Sequence, residues 1–430
     1  MKTGVIRIIF ALGLLAVFAS CRDPIFYYIS QETPREEPRI KGAPTNMVVW
    51  ERDYPDPEDT DKTITVRAFY VASGGLHWYA KDSDGVSRWN WSGAPISQPG
   101  GRVIALAATD DYLYALTLTG HGVDTKLKRL GREWKEKETW DDIETLNVGS
   151  YTLIQSIYAD RGQDRVFAGA RLDNVNSDQY AILYLYPPAT SGELPTMQML
   201  QPDTGLLSGA VYRDSIHYLS TRGKGIFQIS ETNLTSGNTT VSQQDAPSGS
   251  KDRMFMGMIK LKDETIIVVE RDGGAFYEVR NGSFARMTIS TDDGSSPAMQ
   301  TGNYATGALA LWAERSDPDG TKLIVAGLQG GLYNTMTTSY THGYVEFELD
   351  STGKITRRRD PGDLLSVDIP GTDGNARYRA TIGTKPINHL FQAPPDIDNN
   401  MTFFASTQNT GLWSFKERPS SGGWQWNAEN

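Results

Sequence analysis

Five histidines and a single cysteine carry the readiest chemistry in this chain, and their spacing limits what they can do. His77, His121, His217, His342 and His389 are scattered over 430 residues. General-base catalysis needs an imidazole beside a nucleophile and an orienting carboxylate. No Ser-His-Asp set can be assembled from these positions, so no catalytic residue is assigned. His77 and His217 fall inside strand-like runs and read as packed or rim residues. Five separated histidines and one thiol supply neither a soft-metal ligand set nor a disulfide framework. Acidic groups are more plentiful, at Asp82-Ser83-Asp84-Gly85, Asp317-Pro318-Asp319-Gly320 and Asp396-Ile397-Asp398-Asn399. None has the twelve-residue loop closed by Glu of an EF-hand calcium site, and turn chemistry accounts for each of them. Gly223-Lys224-Gly225 has phosphate-loop residue types but lies between two strands, with no helix N-terminus to follow it. Neither a metal nor a cofactor is expected. Basic side chains cluster at Arg357-Arg358-Arg359, which in a chain of net charge −10 is either a candidate binding surface for an acidic partner or a solvated loop. The acidic balance argues against a nucleic-acid partner.

Cys21 has a context of its own. Lys2 and Arg7 form a short basic region, Ile8 to Phe18 an apolar run too short to span a bilayer, and Ala19-Ser20 a small-residue exit. That is the layout of a secretory signal. Phe18-Ala19-Ser20-Cys21 resembles the lipobox of bacterial lipoproteins, with Phe where Leu is usual, and such looser boxes are similar to those of spirochaetes, the treponemal type included. The resemblance implies lipidation at Cys21, with a diacylglycerol on the thiol and an acyl chain on the freed amine. Two or more chains anchor stably. It places the mature chain in the bacterial cell envelope, held to a membrane by its N-terminal lipid, at the outer membrane, its periplasmic face or the cell surface. Residues 1–20 are then a signal peptide and 21–46 a tether, extended by Pro24, Pro34, Pro38 and Pro44. Within the tether, Phe26-Tyr27-Tyr28-Ile29 reads equally as an interfacial anchor or as a patch that docks on the body.

Beyond single residues, the body repeats itself. Phe69-Tyr70-Val71-Ala72, Gly75-Leu76-His77-Trp78-Tyr79 and Trp89-Asn90-Trp91 recur in order as Phe403-Phe404-Ala405, Gly411-Leu412-Trp413-Ser414-Phe415 and Trp424-Gln425-Trp426. Looser copies centre on Tyr112–Leu116, Arg165–Ala168, Ile216–Leu219, Thr265–Val269 and Leu323–Ala326. Shorter segments rich in small residues precede them, among them Val103–Leu106, Ile154–Ile157, Leu207–Ala210, Met256–Met258 and Ile387–Leu390. Small side chains suit innermost strands that converge on an axis.

Runs of four to seven β-branched and aromatic residues bounded by Gly and Asp-Gly turns predict strands. A short helix is allowed only within Trp134–Leu146. Meanders that cannot bury both faces alone must stack. Residues 47–430 therefore predict an all-β β-propeller of seven blades, each of four antiparallel strands and about 55 residues. Six or eight blades, or a pair of β-sandwiches, are the alternatives. An excursion at about 339–385 supplies outer strands of the sixth blade and then a long loop. Ser290 to Ser296 is similar to the Asp-box turn of sialidase-type propellers but lacks its closing aromatic. The paired tryptophans predict packing at the seam between first and last blades, with sugar stacking as the sharper alternative. The expected function is a non-catalytic scaffold that binds an envelope protein, peptide or glycan. The alternative is a glycan hydrolase or lyase with carboxylates at the central channel.

Overall fold

Phe403 to Thr407 is buried along its whole length, as are Val166 to Ala170 and Ile266 to Val269. Adjacent residues on a strand point to opposite faces, so each of these strands needs a neighbour on both sides of its sheet. The computed structural model shows how that is met. It describes most of the chain between Ile40 and Glu429. Residues 1–39, 41–43, 91–94, 121–123, 245–252, 290–297, 300–303, 332–343, 360–385, 430 and a number of shorter stretches lie outside the description. Cys21, the tether to residue 39, His121, His342, the Asp-box-like segment and the second half of the 339–385 excursion are among them.

The described residues make seven successive four-stranded antiparallel meanders. The first is β1 (Met47–Pro55), β2 (Thr63–Ala72), β3 (Leu76–Lys81) and β4 (Ser87–Trp89). The second is β5 (Arg102–Ala108), β6 (Tyr112–Thr119), β7 (Asp124–Gly131) and β8 (Asp141–Thr145). The third is β9 (Leu153–Asp160), β10 (Arg165–Arg171), β11 (Tyr180–Tyr186) and β12 (Thr196–Thr204). The fourth is β13 (Leu206–Arg213), β14 (Ile216–Arg222), β15 (Ile226–Ser230) and β16 (Ser242–Gln243), with the short helix α1 (Glu231–Thr235) between its last two strands. The fifth is β17 (Phe255–Lys260), β18 (Ile266–Glu270), β19 (Phe276–Arg280) and β20 (Ser283–Arg286). The sixth is β21 (Tyr304–Glu314), β22 (Asp317–Gly331), β23 (Tyr344–Leu349) and β24 (Ile355–Arg359). The seventh is β25 (Ile387–Gln392), β26 (Phe403–Thr407), β27 (Leu412–Arg418) and β28 (Gly423–Ala428).

The core is divided the same way. Seven apolar clusters each lie between two consecutive sheets, and the last joins the seventh sheet to the first. Alternation within one strand feeds two clusters. In β10, Val166, Ala168 and Ala170 face the second sheet while Phe167 faces the fourth. In β26, Phe403 and Ala405 face the sixth sheet while Phe404 faces the first. Sheets stacked radially in this order, first against last, form a β-propeller. A pair of sandwiches would instead concentrate the core in two places.

Two details depart from the expectation. The Trp134–Leu146 stretch holds no helix among its described residues; Asp141–Thr145 is strand β8, and Ile143 is buried opposite Leu127. Its helix-forming residues lack an apolar stripe of helical period, and pairing to β7 wins. The short helix is α1, capped by Ser230, whose Oγ accepts from Asn233 N at 3.1 Å. The basic run does not follow the outer strands of the sixth sheet but belongs to one, with Arg357, Arg358 and Arg359 opposite Glu348, Phe347 and Glu346. One join between sheets is also unexpected. The outermost strands β8 and β12 pair in parallel at Glu144–Thr196 and Thr145–Met197, linking the second and third sheets at their rims.

Candidate functional site

The innermost strands β1, β5, β9, β13, β17, β21 and β25 lie side by side in chain order, and all seven contribute to one cavity of about 560 Å³. Convergence there restricts side-chain size. A Cβ on Gly169 would sit 2.7 Å from Ser156 Oγ and 2.9 Å from Leu207 N; one on Gly209 would meet Ser220 Oγ at 2.9 Å. A second cavity of about 650 Å³ adjoins the first. The two share Thr45, Asn46, Ile157, Tyr158, Arg222 and Asn388, so they are successive stretches of one central channel.

The chemistry of the channel wall is narrow. Small and aliphatic residues such as Ala107, Gly257, Ala308, Ile154 and Leu206 alternate with hydroxyls and amides. Asn46 clamps β5, its Nδ2 donating to Leu106 O at 2.5 Å and its Oδ1 accepting from Leu106 N at 2.7 Å. Gln329 Nε2 donates to Asn388 Oδ1 at 3.0 Å. His389 faces the channel with Nδ1 buried and unbonded, and burial pushes its imidazole down to about 4. The charged lining residues are Arg67, Arg171 and Arg222; no described lining residue is Asp or Glu. Arg67 is engaged by Asp396 at 2.5 Å and Glu51 at 3.6 Å. Arg222 ends β14 at the junction of the two cavities. Its backbone is fixed by Leu206 on one side and Met254 on the other, and a Cβ on Gly205 would overlap its carbonyl.

The sequence-derived candidates lie elsewhere. Arg357–Arg359 sit on an outer strand, away from the channel. His217 is buried between the third and fourth sheets. Its Nε2 is 2.7 Å from Glu231 Oε2, its Nδ1 3.7 Å from Asp160 Oδ2, and its ring lies against Phe167 and Tyr212. Burial pushes this imidazole down, only partly offset by the Glu231 bond. Burial also acts to raise Glu231, but Arg165 and His217 more than compensate and hold its carboxyl low. Arg165 grips Glu231 at 2.5 and 3.0 Å, so the cluster is an ionic lock between sheets, closed to a substrate. His77 is half-buried on β3.

Trp89 packs at the first–last seam, against Phe69, Tyr79 and Phe404, and donates from Nε1 to Glu429 Oε2 at 2.7 Å. Trp426 does not share that seam. It packs on Tyr344, Phe403 and Phe415, between the sixth and seventh sheets, because the outer strands of an end sheet face different neighbours. Trp91 lies outside the described residues, as does the Trp424 side chain. Two of the acidic segments, at Asp82 and Asp396, are turns, whereas Asp317–Gly320 opens strand β22 after a turn at Arg315-Ser316. Asp82 Oδ1 accepts from Asp84 N and Val86 N, and Gly85 takes φ 74°. Among the described residues no group of three His, Cys, Asp or Glu is placed to hold a metal. Arg171, Arg222 and His389 of the channel were not singled out as site residues by sequence. The one usable signal was position, since Arg171 and Arg222 both close the second strand of a meander after a run of small or hydroxyl residues.

No family model matches the sequence, and no curated protein does. Among solved structures the chain is similar to PorZ, a surface component of the type-IX secretion system of Porphyromonas gingivalis, with 13% identity over 81% of this chain and a TM-score of 0.44. The chain spans 45% of the length of that protein. It is similar to YCF48 bound to a D1 peptide, with 10% identity, 90% and 95% of the two chains covered and a TM-score of 0.46. Virginiamycin B lyase from Staphylococcus aureus gives 11% identity, 86% and 99% coverage and a TM-score of 0.46.

Proposed function

We propose that this protein is a non-catalytic binding ring of the bacterial cell envelope, held to a membrane through lipid on Cys21 and receiving its partner at the central channel. The observation that carries the binding reading is the composition of the channel wall. Hydrolysis of a glycosidic bond by the common route needs two carboxyl groups across the scissile bond, and the described lining offers amides, hydroxyls, aliphatic groups and arginines instead. Such a wall is suited to recognition, with an apolar surface and a few placed polar groups. The ring offers that channel to an envelope protein, peptide or glycan.

One experiment separates the anchor from the channel. Wild type, Cys21→Ser and Gly257→Phe are expressed in the envelope of the same bacterial host, fractionated and used to capture partners. Gly257 lines the channel and its nearest neighbours stand 3.6–3.8 Å from an added Cβ, so the variant should fold and fill the bore. Expected is loss of acylation and membrane partition in Cys21→Ser, and loss of the wild-type partner in Gly257→Phe. Acylated Cys21→Ser rejects the anchor; undiminished capture by Gly257→Phe rejects the channel.

A further inference from the structure

Arginine is costly to leave half-enclosed without a counter-charge, and elsewhere this fold avoids doing so. Arg129 meets Asp141, Arg165 meets Glu231 and Arg253 meets Glu270. Arg171, which is half-buried, and Arg222, which is exposed, are different. Both line the 650 Å³ cavity, one from the third sheet and one from the fourth. Neither makes an ion pair or a side-chain hydrogen bond with a described residue, and Arg171 Nε is buried without an acceptor. This happens in a chain where acidic side chains outnumber basic ones, 52 to 42. The wall they share sets aliphatic Ile104, Leu118, Ile154 and Leu206 among amides and hydroxyls such as Gln155, Ser156 and Asn388, and Tyr158 lies beside Arg222.

We infer that the channel binds a carboxylate carried on an apolar body, with Arg171 and Arg222 as its counter-charges. A guanidinium offers a planar fork of donors that matches a carboxylate in two parallel bonds. The same fork matches phosphate, but a dianion loses more hydration than a monoanion on entering a wall that is partly apolar. The aliphatic lining accepts the remainder of the ligand. Two sources present this chemistry: a free aliphatic acid, and the C-terminal residue of an apolar peptide.

The inference rests on the channel reading above, and its test keeps the two apart. Titration calorimetry is run on the purified ring, residues 22–430, with hexanoate, with acetyl-Ala-Leu-Leu as the free acid, with the same peptide as its C-terminal amide, and with inorganic phosphate. The expected result is saturable binding of hexanoate, the free-acid peptide or both, and none of the amide. Binding should weaken about tenfold in Arg171→Gln and in Arg222→Gln, with partial recovery in the Lys variants. Circular dichroism and melting confirm that each variant is folded. Hexanoate binding alone names the free acid as the source, peptide binding alone the chain end. Equal binding of acid and amide, tighter binding of phosphate, indifference to both arginine changes, or no saturable binding at millimolar ligand each overturn the inference. If Gly257→Phe abolishes binding while the arginine changes do not, the channel stands and the carboxylate assignment falls. Binding that survives Gly257→Phe and both arginine changes removes both.

Discussion

His389 shows what the channel does to a single titratable group. An unperturbed imidazole titrates near 6.5, but burial holds this one down to about 4 in the fold. The native state therefore keeps it neutral while the unfolded chain takes up a proton. Stability linked to His389 is complete above about pH 6.5 and is lost as pH falls towards 4. His389→Gln should flatten the fall of Tm with pH across that window relative to wild type, and an NMR titration of the imidazole should show a midpoint near 4. A midpoint above 6 would mean that the ring is hydrated or paired. His217 and His77 are also held low by burial, so the comparison has to be with the variant and not with pH alone. From sequence, His389 was one isolated histidine among five. Nothing local in Ile387-Asn388-His389-Leu390 says that its neighbours are six other sheets.

At the scale of strands and sheets much more was legible, because period and burial are coupled there. The small-residue segments Val103–Leu106, Ile154–Ile157, Leu207–Ala210, Met256–Met258 and Ile387–Leu390 all fall on innermost strands. Crowding of the kind seen at Gly209 is the physical reason they could be recognised. Two inner strands escaped notice, β1 and β21, since Val48-Val49-Trp50 is followed by charged residues and β21 by a hairpin that continues into a long partner. Strand position also separates the tryptophans, which sequence repetition treated alike. Trp426 is 1% exposed, and its Nε1 donates to Tyr344 Oη at 3.3 Å across the sixth–seventh interface. Trp426→Ala should cost about 3–5 kcal/mol. Trp89→Phe keeps an aromatic in the first–last cluster but removes the indole donor to Glu429 Oε2, for about 1–3 kcal/mol. Denaturant midpoints for the two variants check this, and equal losses would show that packing and hydrogen bonding are not divided in this way.

For the molecule as a whole, the propeller followed from meanders that cannot bury two faces alone, whereas the channel chemistry did not, since it depends on which strand ends meet across the ring. The closure is equally a property of the assembly. At six of the seven interfaces the chain itself crosses from one sheet to the next; at the seam between last and first it does not. There the ring is held by stacked Phe69 and Phe391 at 4.5 Å, by Phe404, by Arg67–Asp396 and Trp89–Glu429, and by a hydrogen bond from Ser406 Oγ to the Pro44 carbonyl. Pro44 lies just before β1, so a mechanical load applied at residue 44 enters the fold at the seam. Side-chain contacts there can give way singly and in succession, while each sheet behind them is laced by backbone ladders. Pulled between residues 44 and 429 in an optical trap, the ring should open first at the seam, at low force, before any sheet unravels. A single rupture of the whole body would mean that the seam bears load as well as the ladders do. A ring with this weak point can act as a fuse, opening its bore under tension before any sheet unravels.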